Sequence, residues 1–135
     1  MRKPRKKWNE IGLKYALNGI FQAFKSEKNL KIDFIAAISF IILAFWLSTS
    51  MTENAILAVT LGLVFSVEMI NTAIEKAVDL SCEDILEKEL KKQPFNNNAK
   101  LAKDISAGAV LFSSLMAIAV GIIIFLPKIT EKING

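Results

Sequence analysis

The sequence has 135 residues, of which 53% are hydrophobic, and a formal net charge of +4 at pH 7. This length suits a single domain, 1–135. The apolar residues come in blocks that approach the ~20 residues needed to cross ~30 Å of hydrocarbon, whereas a soluble domain intersperses polar positions to make a wet surface. The composition therefore argues against a soluble protein and predicts an all-α membrane protein. With one cysteine and no histidine, an internal disulfide is excluded and a zinc site is disfavoured.

The first predicted element is an amphipathic helix at residues 9–25 that lies on the membrane surface. Basic residues precede it, as suits a boundary with anionic lipid headgroups. The same pattern is also typical of a helix packed on a protein partner. The apolar face comprises Leu13, Ala16, Leu17, Ile20, Phe21 and Phe24, and the polar face comprises Lys14, Asn18, Gln22 and Lys25. A signal peptide would place an apolar run directly after the basic residues, so we expect this segment to be retained.

Three apolar blocks predict three transmembrane helices, at about 34–51, 55–74 and 105–126. A short loop, 52–54, and a long loop, 75–104, would join them, and Pro127 would end the third span. Nine lysines and arginines precede the first span and six lie in the long loop, but none lies in the short loop. By the positive-inside rule, the N-terminus and the long loop face the cytoplasm and the C-terminus faces outward.

Small residues recur every four positions in the third span, at Ala109, Ser113, Ala117 and Gly121. Because lipid supplies no hydrophobic drive between helices, such a stripe favours close helix packing and predicts an assembly face. Small residues are also frequent in membrane helices in general, and the stripe is equally consistent with that.

The second span carries a row of polar residues that includes three acids. The row comprises Glu68, Asn71, Thr72, Glu75 and Asp79. At about 100° per residue, this spacing places them on one face of a helix. An acid in hydrocarbon costs ~2.5–3.5 kcal/mol on insertion scales, so such residues usually face a bundle interior and serve a function. Oxygen ligands without histidine or cysteine favour Mg²⁺.

The pair Lys103-Asp104 directly precedes the third span, on the same side of the membrane as the wetter end of this row. A lysine there can bind phosphate, although lysines also flank membrane helices as a rule. A metal, a cation and an acid that orients a hydroxyl are what phosphoryl transfer requires. The sequence has no phosphate-loop or soluble-kinase motif, so it predicts phosphoryl transfer of another kind, close to the membrane interface.

On these residues the sequence resembles a known family. The stretch VEMINTAIEKAVD (67–79) is similar to E-x-x-N-[ST]-A-I-E-x-x-x-D, a signature of the prokaryotic diacylglycerol kinase and undecaprenol kinase family. The stretch AKDISAGAVL (102–111) is similar to the family's second signature. The resemblance implies a surface helix and three transmembrane helices, assembled as a homotrimer with active sites shared between subunits. It also implies ATP- and Mg²⁺-dependent phosphorylation of a lipid alcohol at the cytoplasmic face of a bacterial plasma membrane.

The resemblance assigns roles to individual residues. Glu68 matches the catalytic acid that orients or deprotonates the lipid hydroxyl, and Asn71 matches a polar residue of the same substrate site. Glu27 and Glu75 match the metal-binding glutamates, which also belong to the ATP site. The other nucleotide contacts match Tyr15, Glu83, Lys103 and Asp104. The sequence departs from the family in a longer loop after the first signature, and in Trp8 at the place of an N-terminal arginine.

Two lipid substrates are compatible with this assignment. The stretches SAGAVL and VGIIIFLPKI resemble the undecaprenol kinase branch, which forms undecaprenyl phosphate. The alternative is conversion of diacylglycerol to phosphatidic acid by the same mechanism. An ion or proton carrier would need acids throughout the membrane depth, but the outer halves of the spans have none. A non-catalytic interaction subunit would have no need of the aligned acids.

Overall fold

The structure is a computed structural model that describes residues 12–88 and 97–134. Within these residues the chain forms four α-helices and no strand, which confirms the all-α prediction. The helices are α1 (Gly12–Ser26), α2 (Lys28–Trp46), α3 (Met51–Lys88) and α4 (Asn97–Asn134). Helices α2, α3 and α4 are long and apolar enough to cross a membrane, so the three predicted spans are confirmed as elements.

Helix α1 corresponds to the predicted surface helix, although residues 9–11 lie outside the described part of the chain. Most of its apolar face remains exposed on the protein: Leu13 is 73% exposed and Phe21 is 65% exposed. Only the C-terminal end of the helix packs on the spans, through buried Ala23 and half-buried Phe24. An amphipathic helix with an uncovered apolar face suits the headgroup boundary.

The first span ends earlier than predicted, at Trp46 instead of residue 51. Ser48 adopts a positive φ of 51°, and the amides of Ser48 and Thr49 donate to the carbonyls of Phe45 (3.2 Å) and Ala44 (3.1 Å). This pair of hydrogen bonds is the Schellman motif that terminates many helices. Ser48 occupies the position where a glycine would have marked the end of the helix.

The predicted short loop, 52–54, is wrong because these residues form the first turn of α3. The amide of Ser50 donates to Glu53 Oε2 at 2.6 Å, and the amide of Glu53 donates to Ser50 Oγ at 3.3 Å. This reciprocal arrangement is a capping box, which satisfies backbone donors that a helix start would otherwise leave unpaired. The connection between α2 and α3 therefore consists of residues 47–50.

Helices α3 and α4 continue far beyond the predicted spans of 55–74 and 105–126. Each has 38 residues, or about 57 Å of helix rise, which exceeds the ~30 Å of the hydrocarbon core. Most of the predicted long loop, 75–104, is therefore helical. The α3–α4 packing is the most extensive between any two helices in the described chain.

The prediction that Pro127 ends the third span is also wrong. Pro127 lies inside α4, which continues to Asn134. A proline removes one backbone hydrogen bond, but membrane helices tolerate this where neighbouring groups support the chain. Here Lys128 pairs with Glu53 at 3.2 Å, and Lys132 donates to the carbonyl oxygen of Trp46 at 2.7 Å. These contacts hold the last turns of α4 against α2 and α3.

The apolar core lies at the same end of the bundle as these contacts. It comprises Ala44, Leu47, Leu57, Ile124 and Phe125, with Phe40, Leu43, Val120 and Ile129 packed against it. The Phe40 and Phe125 rings meet edge to face with centroids 5.5 Å apart. A Cβ on Gly121 would lie 3.0 Å from the Phe40 ring, so this glycine permits the close approach of α2 and α4.

The stripe of small residues is divided by this packing. Ala117 and Gly121 are buried within the chain, whereas Ala109 is exposed. The end of the stripe near Gly121 therefore serves packing inside one chain, and only its other end is free to contact a second copy.

We expect Ser50→Ala to destabilise the protein by ~1 kcal/mol, because it removes the side-chain acceptor of the capping box. Denaturation by SDS in mixed micelles, followed by circular dichroism, measures the free energy of unfolding. The control is Ser39→Ala, since Ser39 Oγ only donates to the Ile35 carbonyl within an intact helix. Equal stabilities of the two variants would contradict a capping role.

Candidate active site

The acid row of α3 centres on a fully buried carboxylate. Glu68 is 1% exposed, and its Oε2 atom has no hydrogen-bond partner. Its carboxylate faces the side-chain amide of Asn29, near the start of α2. A buried, unpaired carboxylate oxygen is costly, so it indicates a position held ready for a ligand.

The next turn of α3 adds two buried polar side chains, Asn71 and Thr72, each 7% exposed. Asn71 Nδ2 donates to Glu75 Oε1 at 3.2 Å, which orients both groups. The other end of the amide, Asn71 Oδ1, is buried without a partner. The row thus presents two unsatisfied oxygens, on Glu68 and Asn71, inside the bundle.

Helix α2 contributes two polar residues that the sequence analysis did not single out, Asn29 and Asp33. They are one helical turn apart and both interact with Glu68. Asp33 is half-buried, and its Oδ2 atom has no partner. The available signal was the i, i+4 spacing of an amide and an acid at the start of the first apolar block.

Glu27 occupies the junction between α1 and α2, where it is the N-cap residue of α2. Its Oε1 atom accepts from Ser26 Oγ at 2.9 Å and from Lys76 Nζ at 3.3 Å. Glu27, Asp33 and Glu75 all act electrostatically on Glu68, so the fold gathers four acids from two helices and one junction. The predicted pair Glu27 and Glu75 is therefore brought to the same region as Glu68.

These acids fit a divalent ion only in combination with other ligands. Among the described residues, no three acids, cysteines or histidines are close enough to bind a metal by themselves. Mg²⁺ characteristically uses one or two carboxylates and completes its shell with water and substrate phosphates. A pair of glutamates beside unsatisfied carboxylate and amide oxygens matches this donor chemistry.

The predicted nucleotide contacts are more dispersed. Lys103 Nζ lies 2.7 Å from Asp79 Oδ1 and ties α4 to the end of the acid row on α3. Asp104 is exposed on α4. Tyr15 is 66% exposed on α1. The side chain of Glu83 lies outside the described part of the structure.

Three phenylalanines attach α1 to the spans beside the acids. The Phe24 ring lies 5.5 Å from that of Phe34 on α2, edge to face, and 6.3 Å from that of Phe65 on α3. Phe65 is one turn from Glu68 on the same helix, so this contact fixes the junction that bears Glu27. Sequence patterns did not reveal the cluster, because its members come from three different helices.

The sequence was compared with known proteins. Residues 14–125 match the family described as prokaryotic diacylglycerol kinase. The chain is 36% identical over 115 residues to a protein named undecaprenol kinase from Bacillus subtilis, and the alignment covers 85% of each protein. It is 34% identical over 119 residues to a protein named diacylglycerol kinase from Synechocystis sp., covering 88% of this chain and 63% of that protein.

The matched region contains α2, nearly all of α1 and the whole acid row. Kinases of this kind use ATP with a divalent metal and act on a lipid, so they require a membrane-associated site. The buried acid row on membrane-spanning helices accords with that requirement. The chain therefore belongs to the prokaryotic diacylglycerol kinase family and is a membrane-spanning lipid kinase.

Proposed function

We propose that this protein transfers the γ-phosphoryl group of ATP to the hydroxyl of undecaprenol, with Mg²⁺, at the cytoplasmic face of the bacterial plasma membrane. The observation that carries the mechanism is the buried carboxylate of Glu68, with its unpaired oxygen. A lipid alcohol supplies the missing hydrogen-bond donor without bringing water into the bundle.

Glu68 acts on the lipid hydroxyl. The hydroxyl donates to Glu68 Oε2, which orients the oxygen and accepts its proton as the new O–P bond to the γ-phosphorus forms. The bond between the γ-phosphorus and the β–γ bridging oxygen breaks, and ADP leaves with the electron pair. Asn71 Oδ1, a second unsatisfied oxygen on α3, accepts a further hydrogen bond from the substrate headgroup.

The nucleotide lies toward the wetter end of the row. Glu75 is seven residues from Glu68, or about 10 Å along the helix. Glu75 and Glu27 would hold the metal, which would supply positive charge to the phosphates of the nucleotide. Lys103 contacts the phosphates, and Tyr15, Glu83 and Asp104 complete the nucleotide site.

The choice of undecaprenol rests on resemblance. The SAGAVL and VGIIIFLPKI stretches are similar to the undecaprenol kinase branch, and the relative that aligns over 85% of its own length carries that name. Diacylglycerol is the alternative substrate, since the second relative is named for it. Both lipids present a primary hydroxyl at headgroup level, where Glu68 can reach it.

We further propose a homotrimer whose sites are shared between subunits. The exposed end of the small-residue stripe around Ala109 supports close contact with a second copy. The lysine and arginine bias supports an N-terminus in the cytoplasm and a C-terminus outside.

We expect Glu68→Gln to abolish most of the turnover, by ~10²-fold or more, because glutamine cannot accept the proton. The assay supplies purified protein with ATP and Mg²⁺ and offers undecaprenol and diacylglycerol separately; the wild-type enzyme should phosphorylate undecaprenol faster. The variant should be at least as stable as the wild type, since it removes a charge from the bundle interior.

The matched control is Glu53→Gln, on the same helix but fifteen residues away, or about 22 Å. It should retain near-normal turnover. A correctly folded Glu68→Gln protein that phosphorylates both lipids normally would falsify the proposed mechanism.

Glu27→Gln and Glu75→Gln should each raise the Mg²⁺ concentration needed for half-maximal activity, because each removes one anionic ligand from the metal. Titration of activity with Mg²⁺ at fixed ATP measures the change. The control is Glu131→Gln, because Glu131 is an exposed residue of α4. If both variants keep the wild-type Mg²⁺ requirement, these glutamates are not the metal ligands.

A reporter fused after Gly135 should be active only outside the cytoplasm, and one inserted after Asn96, ahead of α4, should be active only inside. Paired phosphatase and fluorescent-protein fusions measure this. Finding both reporters on the same side of the membrane would contradict the proposed orientation and the cytoplasmic location of the site.

A further inference from the structure

Lys76 lies beside two acids of the candidate site, and no role has been assigned to it. It follows Glu75 on α3, and its Nζ atom is 3.3 Å from Glu27 Oε1. The two residues are 49 positions apart in sequence, so the ion pair joins α3 to the α1–α2 junction. Lys76 falls at an unspecified position of the family signature, so neither the signature nor the resemblance predicts a function for it.

The Lys76–Glu27 ion pair contributes little to the stability of the fold. The Lys76 side chain is 60% exposed and that of Glu27 is 25% exposed. Ion pairs of this kind contribute little stability, because water screens them and they immobilise long side chains. The Phe24 cluster already attaches the same junction through apolar contacts. The pair is therefore readily exchanged for other partners.

The site also needs a positive charge for a polyphosphate. Four acids from α2, α3 and the α1–α2 junction lie near one another, namely Glu27, Asp33, Glu68 and Glu75, and Asp79 follows one turn after Glu75 on α3. Lys103, paired with Asp79 at 2.7 Å, offsets the charge of only one of these acids. A triphosphate that approaches such a surface is repelled unless cations meet it. Lys76 stands next to Glu75, where the metal-bearing end of the nucleotide would lie.

We propose that Lys76 binds the phosphates of the nucleotide. In the structure its ammonium forms an ion pair with Glu27. When a divalent ion takes the Glu27 oxygen, the ammonium is released beside Glu75 and swings on its flexible four-carbon stem to a phosphate oxygen. This inference rests on the proposed function, in which Glu27 and Glu75 hold the metal.

Binding measurements without the lipid substrate test this assignment. Calorimetry in detergent micelles with Mg²⁺ compares AMP, ADP and an ATP analogue with a methylene β–γ bridge. Lys76→Gln should weaken binding of the analogue about tenfold or more, the loss expected for a charge-assisted hydrogen bond. AMP affinity should not change, and Lys76→Arg should restore most of the analogue affinity.

The matched control is Lys128→Gln, which breaks a similar ion pair, with Glu53 at 3.2 Å, at the other end of α3. It should leave all three affinities unchanged. If Lys76→Gln weakens the binding of AMP and of the analogue equally, Lys76 has a structural role and the proposal is wrong. If Lys76→Gln changes neither affinity, the proposal is also wrong. Weaker retention of anionic phospholipid by the detergent-solubilised variant, with nucleotide affinity intact, would assign Lys76 to lipid phosphate instead.

The lipid assay separates this inference from the proposed function. One outcome is that Lys76→Gln binds the analogue more weakly while the wild-type protein phosphorylates neither undecaprenol nor diacylglycerol. The phosphate contact then stands and the proposed reaction fails. If it phosphorylates lipid and Lys76→Gln binds all nucleotides normally, the reaction stands and the phosphate contact fails.

Discussion

The burial of Glu68 among membrane-spanning helices is the constraint around which the inner part of the structure is arranged. A carboxylate in such surroundings is tolerated only where polar groups face it. The side-chain amide of Asn29 on α2 provides such a group, whereas Asp33, one turn further along α2, adds a second acid beside Glu68. Both residues are near the start of α2, which begins at Lys28, so the α1–α2 junction lies beside α3. The same requirement brings Glu27 to the site.

The two ends of the bundle divide stability and function between them. Close packing of Phe40, Gly121 and Phe125 joins α2 to α4 at the end near the α2–α3 connection. Lys132 adds a hydrogen bond to the Trp46 carbonyl and lies 4.4 Å from the centre of the Trp46 ring. The other end instead contains the unsatisfied oxygens and the exposed ion pairs. The apolar packing at one end stabilises the bundle. The polar groups at the opposite end can therefore remain unpaired, where a ligand can bind.

Sequence periodicity predicted the number and type of the helices and the polar face of α3, because these depend on residues close together in the chain. It misplaced the ends of the helices, which depend on local hydrogen bonds. Ser48 closes α2 without a glycine, Ser50 and Glu53 extend α3 backward, and Pro127 is held inside α4 by contacts from other helices. Asp33 escaped notice because its importance comes from the register of α2 against α3, which no single helix reveals.

Two of the acids at the end of the bundle that contains Glu68 are paired with lysines, and this bears on how an acidic site can bind an anion. Glu27 is paired with Lys76, and Asp79 is paired with Lys103. On the proposed function, a metal that binds alone would displace Lys76 from Glu27 and leave the lysine charge unpaired. A nucleotide that binds alone would draw the lysines away from Glu27 and Asp79 and leave these acids unpaired. Arriving together, they exchange partners with both pairs, so the charges of these four side chains remain balanced. Such a site favours the metal–nucleotide complex over either component, because only the complex satisfies all four charged side chains.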